Sequence, residues 1–159
     1  MQNSDILGQL VISSSFGAGR VIKVDELGFD NRPFLVVESQ DQKAKYFIPV
    51  EDKNSYRFIS TQKAIDSVLI SLSNDSNLGL FDSKKDRINY FKTNSQIQDV
   101  ELIAKLLSEL NDINDRGAVE NQIFLKLVDT LALEYSIVTQ IPLDESKQKV
   151  TKALEGKAS

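Results

Sequence analysis

The sequence predicts an α+β protein in two parts, a small N-terminal β-barrel followed by an all-α helical bundle. Two periodicities predict it. Leu10-Val11-Ile12, Arg20-Val21-Ile22-Lys23-Val24, Phe34-Leu35-Val36-Val37 and Tyr46-Phe47-Ile48 are short apolar or alternating runs, each bounded by turn residues. From Lys63 onward the apolar residues recur at helical spacing instead. Strands followed by helices argue for two units, residues 1–60 and 61–159, rather than for alternating βαβ layers. A barrel of about sixty residues only marginally buries its own core. Modules of this build present surfaces to macromolecules and seldom enclose a substrate.

In the first part, Gly8 opens a strand that ends in the turn Ser13-Ser14-Ser15-Phe16-Gly17-Ala18-Gly19. Gly17 and Gly19 can take positive φ at little steric cost, which lets the chain reverse into the strand Arg20–Val24. A phosphate-cradling loop is the rival reading of that glycine pair, but no Gly-Lys-Ser/Thr follows and the next segment reads as strand. The polar stretch Asp25 to Pro33, with Gly28, Asp30 and Asn31, suits a hairpin loop. Phe34–Ser39 returns as a strand, Gln40-Asp41-Gln42-Lys43 turns, and Lys45–Val50 makes a fourth strand. Pro49 has no N–H for a ladder and marks a strand end or an edge. Tyr56-Arg57-Phe58-Ile59 is a short fifth strand that would close the barrel. Tyr46, Phe47, Tyr56 and Phe58 either pack in the core or line an edge that accepts a partner strand or surface.

In the second part, Ser60 or Thr61 caps a helix through Leu72 that carries Ala64, Ile65, Val68, Leu69 and Leu72 on one face. The Ser-, Asn- and Asp-rich stretch from Ser71 to Gly79 is a loop. A second helix runs from about Phe81 to Lys92, with Ile88 and Phe91 inward. A third starts near Asp99, turns Val100, Ile103, Leu106, Leu107 and Leu110 inward, and is broken by Asp115-Arg116-Gly117. The fourth, about Ala118 to Val138, aligns Ile123, Leu127, Leu131 and Tyr135. Asp144 caps a last helix through Leu154. Such stripes are bundle core rather than grooves.

Composition excludes several chemistries. Of 159 residues, 41% are apolar and 26% charged, as in ordinary globular proteins. No window approaches the roughly twenty apolar residues of a membrane span. The start Met1-Gln2-Asn3-Ser4-Asp5 lacks the basic and apolar regions of a signal peptide, so a cytoplasmic, monomeric protein is expected. With no Cys and no His, a disulfide framework, a zinc ribbon and the commonest general base are absent. No cofactor or metal is expected. The acidic pairs Asp25-Glu26, Glu51-Asp52 and Asp144-Glu145 are sequence neighbours that point apart, so they suit capping and solubility better than catalysis. The expectation is a non-enzyme. A net charge of −4 argues against strong free-standing binding to duplex DNA. Residues 1–59 hold seven basic and eight acidic groups, and residues 60–159 hold twelve and fifteen.

One segment suits nucleic acid. Lys84, Lys85, Arg87 and Lys92 fall within nine residues, just after Leu80-Phe81. Helical spacing puts Lys85, Asn89 and Lys92 on one face, opposite Ile88 and Phe91. The basic side chains would hold phosphates while Leu80 or Phe81 wedges into the minor groove. The alternative is a solvated helix face balanced by Asp82 and Asp86.

The order Leu7-Gly8-Gln9-Leu10-Val11, Phe16-Gly17-Ala18-Gly19-Arg20-Val21, Phe34-Leu35-Val36-Val37 and Ile48-Pro49-Val50, followed by helices, resembles the CarD/CdnL family of bacterial transcription factors. The resemblance implies a Tudor-like or SH3-like barrel, shared with the transcription-repair coupling factor, that binds the β subunit of RNA polymerase. It implies a polymerase-facing set of Arg20, Tyr46, Phe47 and Pro49. It also implies a DNA-facing set of Leu80, Phe81, Lys84, Lys85, Arg87 and Lys92. The chain departs from the family pattern twice. It has no tryptophan, so Phe81 or Leu80 stands at the wedge position, and Phe47 stands where a basic residue is common. The function expected is a transcription regulator that binds polymerase and stabilises the promoter open complex, touching promoter DNA weakly and without sequence preference when free. The alternative is a polymerase-binding interaction module without DNA contact.

Overall fold

The computed structural model describes residues 3–13, 15–25, 32–41 and 43–156. The turn residues Ser14 and Gln42, the loop residues Gly28, Asp30 and Asn31, and Glu26 lie outside the described residues. The chain divides into two compact units, Met1–Ile59 and Ser60–Ser159. Among the described residues no helix is long and apolar enough to cross a membrane.

The first unit holds a one-turn helix α1 (Asn3–Ile6) and strands β1 (Leu10–Ser13), β2 (Gly17–Asp25), β3 (Phe34–Ser39), β4 (Lys45–Pro49) and β5 (Arg57–Phe58). All neighbouring strands are antiparallel, in the order β4-β3-β2-β1-β5. The period-two alternation sends Val11, Val21, Leu35, Val37 and Ile48 to one face, where Ile6 and Tyr56 close the core. Tyr56 is buried because its hydroxyl has a partner: it donates to Val50 O at 2.9 Å.

The expected fifth strand exists but does not close a barrel. It pairs with β1 through Val11–Phe58 and Ile12–Arg57, while β4 and β5 remain the two edges of an open sheet. Two residues make too short a strand to carry a second ladder to β4. The first strand also starts later than expected. Gly8 takes φ +84, outside the extended region, so the strand begins at Leu10. Its N–H nevertheless donates to Val21 O at 2.7 Å, extending the contact with β2.

The two turn glycines have different reasons. Gly17 takes φ +81, as expected. Gly19 does not. Its neighbours leave no room for a side chain, because a Cβ there would stand 2.5 Å from Val37 Cγ1 and 2.8 Å from Glu38 O. Further along β2 the register slips between Val21, opposite Val37, and Lys23, opposite Val36. Ile22 is the extra residue of a β-bulge.

The second unit is α2 (Gln62–Ser71), α3 (Lys84–Asn94), α4 (Val100–Asn111), α5 (Ala118–Thr139) and α6 (Leu143–Glu155). Its core gathers Ile65 and Leu72, Phe91, Leu106, Leu107 and Leu110, Leu131 and Val150, with every helix contributing. Thr61 caps α2, its hydroxyl accepting from Ala64 N at 3.2 Å, and Asp99 caps α4, accepting from Glu101 N at 3.0 Å. The second helix begins three residues later than expected, because Ser83 is extended at φ −154 and its hydroxyl accepts from Asp86 N. Leu80 and Phe81 therefore precede the helix. The third helix ends at Asn111, ahead of the expected break, and Arg116 Nη1 donates to Leu110 O at 2.7 Å to satisfy its last turn. Pro142, not Asp144, stands at the start of α6; Asp144 lies in the first turn, where its charge still suits the helix dipole.

Gly19→Ala is expected to destabilise the protein by about 1–3 kcal/mol, since the backbone of β3 must move to admit the methyl group. Gly79→Ala, with nothing within 4 Å of its new Cβ, serves as the near-neutral control. Urea denaturation followed by circular dichroism checks both.

Candidate interaction surfaces

The outer edge of β4 is defined by hydrogen-bond parity. Ser39 N donates to Ala44 O at 2.9 Å and Val50 N to Pro33 O at 3.0 Å. In an antiparallel ladder these bonded pairs recur every second residue, so Ala44, Tyr46, Ile48 and Val50 direct their backbone groups toward β3. Lys45, Phe47 and Pro49 direct theirs away from the sheet. That edge offers the N–H and C=O of Lys45 and Phe47, while the C=O of Pro49 accepts from Asp52 N at 2.9 Å.

Side chains alternate with the same parity. Tyr46 and Ile48 turn to the core face, and Tyr46 stacks on Phe16 at 4.5 Å between ring centres with 17° between planes. Lys45, Phe47 and Pro49 turn to the other face, where Phe47 is 68% exposed. Across the sheet Lys45 lies opposite Glu38, and Glu38 opposite Arg20. Arg20 is exposed, and its Nη1 donates to Gly8 O at 2.5 Å. The structure thus brings Phe47 and Pro49 together at one edge, places Arg20 two strands inward, and turns Tyr46 to the opposite face.

The second surface lies in the helical unit, in the segment leading into α3. Leu80 is fully exposed, at 104% of the reference value, whereas Phe81 is half-buried against Tyr90 at 5.4 Å between ring centres. Tyr90 in turn donates its hydroxyl to Glu109 Oε1 at 2.8 Å, and burial together with that carboxylate pushes the phenol up to about 12. Of the two residues expected to act as the wedge, Leu80 is the one presented to solvent.

The four cations separate into two roles. Arg87 points inward. Its Nε and Nη2 grip Glu120 Oε2 and Oε1 at 2.7 and 2.8 Å, and Nη1 reaches Asp115 at 3.2 Å. Glu120 is buried and also accepts from Gly117 N at 3.2 Å, the amide at the start of α5. Burial pushes the Glu120 carboxyl up, but the Arg87 fork, the Gly117 amide and the Arg87 charge outweigh it and hold the group below its ordinary value. Lys84 pairs with Asp115 at 3.3 Å on the surface. Lys85, Asn89 and Lys92 are exposed on one face of α3, while Phe91 is buried on the other.

Sequence reasoning did not anticipate Phe16, Glu120 or Asp115 as partners of these residues. Glu120, three residues after Gly117, reaches back to the Gly117 amide, which is half of a capping box and marks Glu120 as structural. A groove of about 740 Å³ between α2 and α4 is lined by Lys63, Ser67 and Ser71 and by Glu101, Lys105 and Ser108. None of the adjacent acidic pairs lines it. No family model and no curated protein matches the chain.

Arg87→Ala is expected to cost about 3–5 kcal/mol, because it leaves the Glu120 carboxylate buried without its counter-charge. The folded carboxyl of Glu120 titrates below its ordinary value near 4.5, so its contribution is intact above that pH. It is lost as pH falls through the folded value. Thermal melts should therefore show a drop in stability below about pH 4.5 that is smaller in Glu120→Gln.

Proposed function

We propose that the chain is a bacterial transcription regulator whose N-terminal unit, a Tudor-like module, docks on the β subunit of RNA polymerase. The helical unit then stabilises the promoter open complex. The observation that carries the docking is the outer edge of β4, where Lys45 and Phe47 present backbone donors and acceptors beside an exposed aromatic ring. A strand edge of that kind recognises another protein by β-augmentation. What supports a Tudor-like module is the five-stranded antiparallel order with a two-residue last strand returning beside the first. The family resemblance supplies the identity of the partner.

For the DNA step, Leu80 supplies the apolar wedge, and Lys85 and Lys92 supply phosphate contacts. Arg87 holds the fold behind them. Two surface cations and a net charge of −4 give little affinity for DNA in free solution. Docking on polymerase raises the local concentration to about the millimolar range, where few contacts suffice. The wedge then favours the open complex by binding it better than closed duplex. The same scarcity of cations favours a second reading, a polymerase-binding module that leaves DNA untouched.

The full chain should be captured by bacterial core polymerase, and Leu80→Ser should shorten the lifetime of an open promoter complex roughly fivefold, the equivalent of about 1 kcal/mol. Lys85→Ala with Lys92→Ala should shorten it too, and more so at low salt. Capture with unchanged lifetimes selects the second reading. Absence of capture removes both.

A further inference from the structure

We infer that the groove between α2 and α4 binds a small organic cation, an aliphatic amine or guanidine whose charged end pairs with Glu109 at the floor. The site is independent of the β4 edge and of any polymerase contact.

The state of the Glu109 carboxylate points to the ligand. Glu109 lines the groove and is only 3% exposed. Its Oε1 accepts from the Tyr90 hydroxyl at 2.8 Å, which holds the group in place. Among the described residues its Oε2 has neither a hydrogen-bond donor nor an ion-pair partner. A carboxylate accepts up to about four hydrogen bonds, and a buried one is ordinarily met by a cation. Glu120 in the same unit shows that solution, with the Arg87 fork and the Gly117 amide around it. Glu109 lacks such a counter-charge, and the groove is the open side from which one can reach it.

Charge is unevenly spread along the groove. Ser108 Oγ donates to Asn74 O at 3.1 Å, so Asp75 stands at the same end as Glu109, and that end is acidic. Lys63 stands toward the other end, eight residues before Ser71 on α2, or about 12 Å along the helix axis. Glu101 lines that end too and offsets it. Lys105, one turn before Glu109, is exposed and forms no ion pair with it. Between the two ends Ala64, Val68 and Ala104 give a narrow aliphatic stem room and apolar contact. A cavity of about 740 Å³ matches the size of small-molecule sites. None of the exposed large apolar side chains among the described residues lines it, so it lacks the anchors on which a partner protein would dock. A free molecule reaches the recessed carboxylate without them.

The test titrates the ¹⁵N-labelled full chain with n-butylguanidinium chloride, n-butylammonium chloride and the neutral n-butylurea. Amide shifts should concentrate on Ala64, Ser67, Ala104 and Ser108, with a dissociation constant of about 1 mM or below for at least one of the cations. The urea should bind at least about tenfold more weakly, because its hydrogen bonds carry no charge. Glu109→Gln keeps an acceptor for Tyr90 and removes the negative charge. Ser71→Lys sets a competing ammonium at the acidic end. Each should weaken cation binding at least about tenfold, with circular dichroism matching that of the parent chain. Absence of shifts up to about 20 mM cation, equal binding of the urea, or unchanged binding in either folded variant overturns the inference. Tighter binding of acetyl-Ala-Ala-Arg-Ala-Ala-amide than of n-butylguanidinium also overturns it, by assigning the groove to an arginine of a partner protein.

Discussion

An antiparallel sheet that does not close on itself must leave two rows of backbone donors and acceptors without partners in the sheet, and the surface of the N-terminal unit follows from that constraint. β5 is too short to return to β4. The consequence falls on β4, whose outward parity exposes the groups of Lys45 and Phe47. The strand itself is well anchored, by five paired positions on β3, by Ile48 in the core and by the Tyr46–Phe16 stack. An edge held in its extended form before a partner arrives spends little ordering entropy on binding. Rigidity and incompleteness together suit the strand to the docking proposed above.

The helical unit is organised around a different requirement, the cost of burying a carboxylate. Glu120 is 1% exposed, which is tolerable because Arg87 meets it with two charge-assisted hydrogen bonds and the Gly117 amide supplies a third. The pair spans 33 residues and ties the first turn of α3 to the first turn of α5. Just ahead of α3, Leu80 stands clear of the protein while Phe81 packs back on Tyr90. A residue that looks like part of a cationic surface thus joins two helices of the fold.

The strands and helix faces were legible in the sequence because each follows one period. Val11, Val21, Leu35, Val37 and Ile48 alternate, and Ile65, Val68, Phe91, Leu106, Leu107, Leu110 and Leu131 recur at helical spacing. The departures need information that a period does not carry. Gly19 is glycine because Val37 and Glu38 lie across a ladder, and that proximity is a property of the pairing. Arg87 shares Asp115 with Lys84, and a buried acid from a distant helix, gripped by its guanidinium, decides its role. The open sheet depends on the length of β5, which the run Tyr56-Arg57-Phe58-Ile59 does not fix by itself. At the candidate surfaces the types of residue were legible, and their division into presented and inward-facing members was not.

The bulge at Ile22 has a consequence for how this unit tolerates change in length. Because Ile22 is surplus to the alternation, Val21 and Val24 both reach the core while Lys23 faces away. Removing it would restore a regular ladder with each remaining side chain on its present side. Losing a residue from β3 instead would invert the strand and send Leu35 and Val37 outward. The sheet therefore has one site where a codon can be lost without turning it inside out, and related chains that vary by one residue in this strand would be expected to vary there.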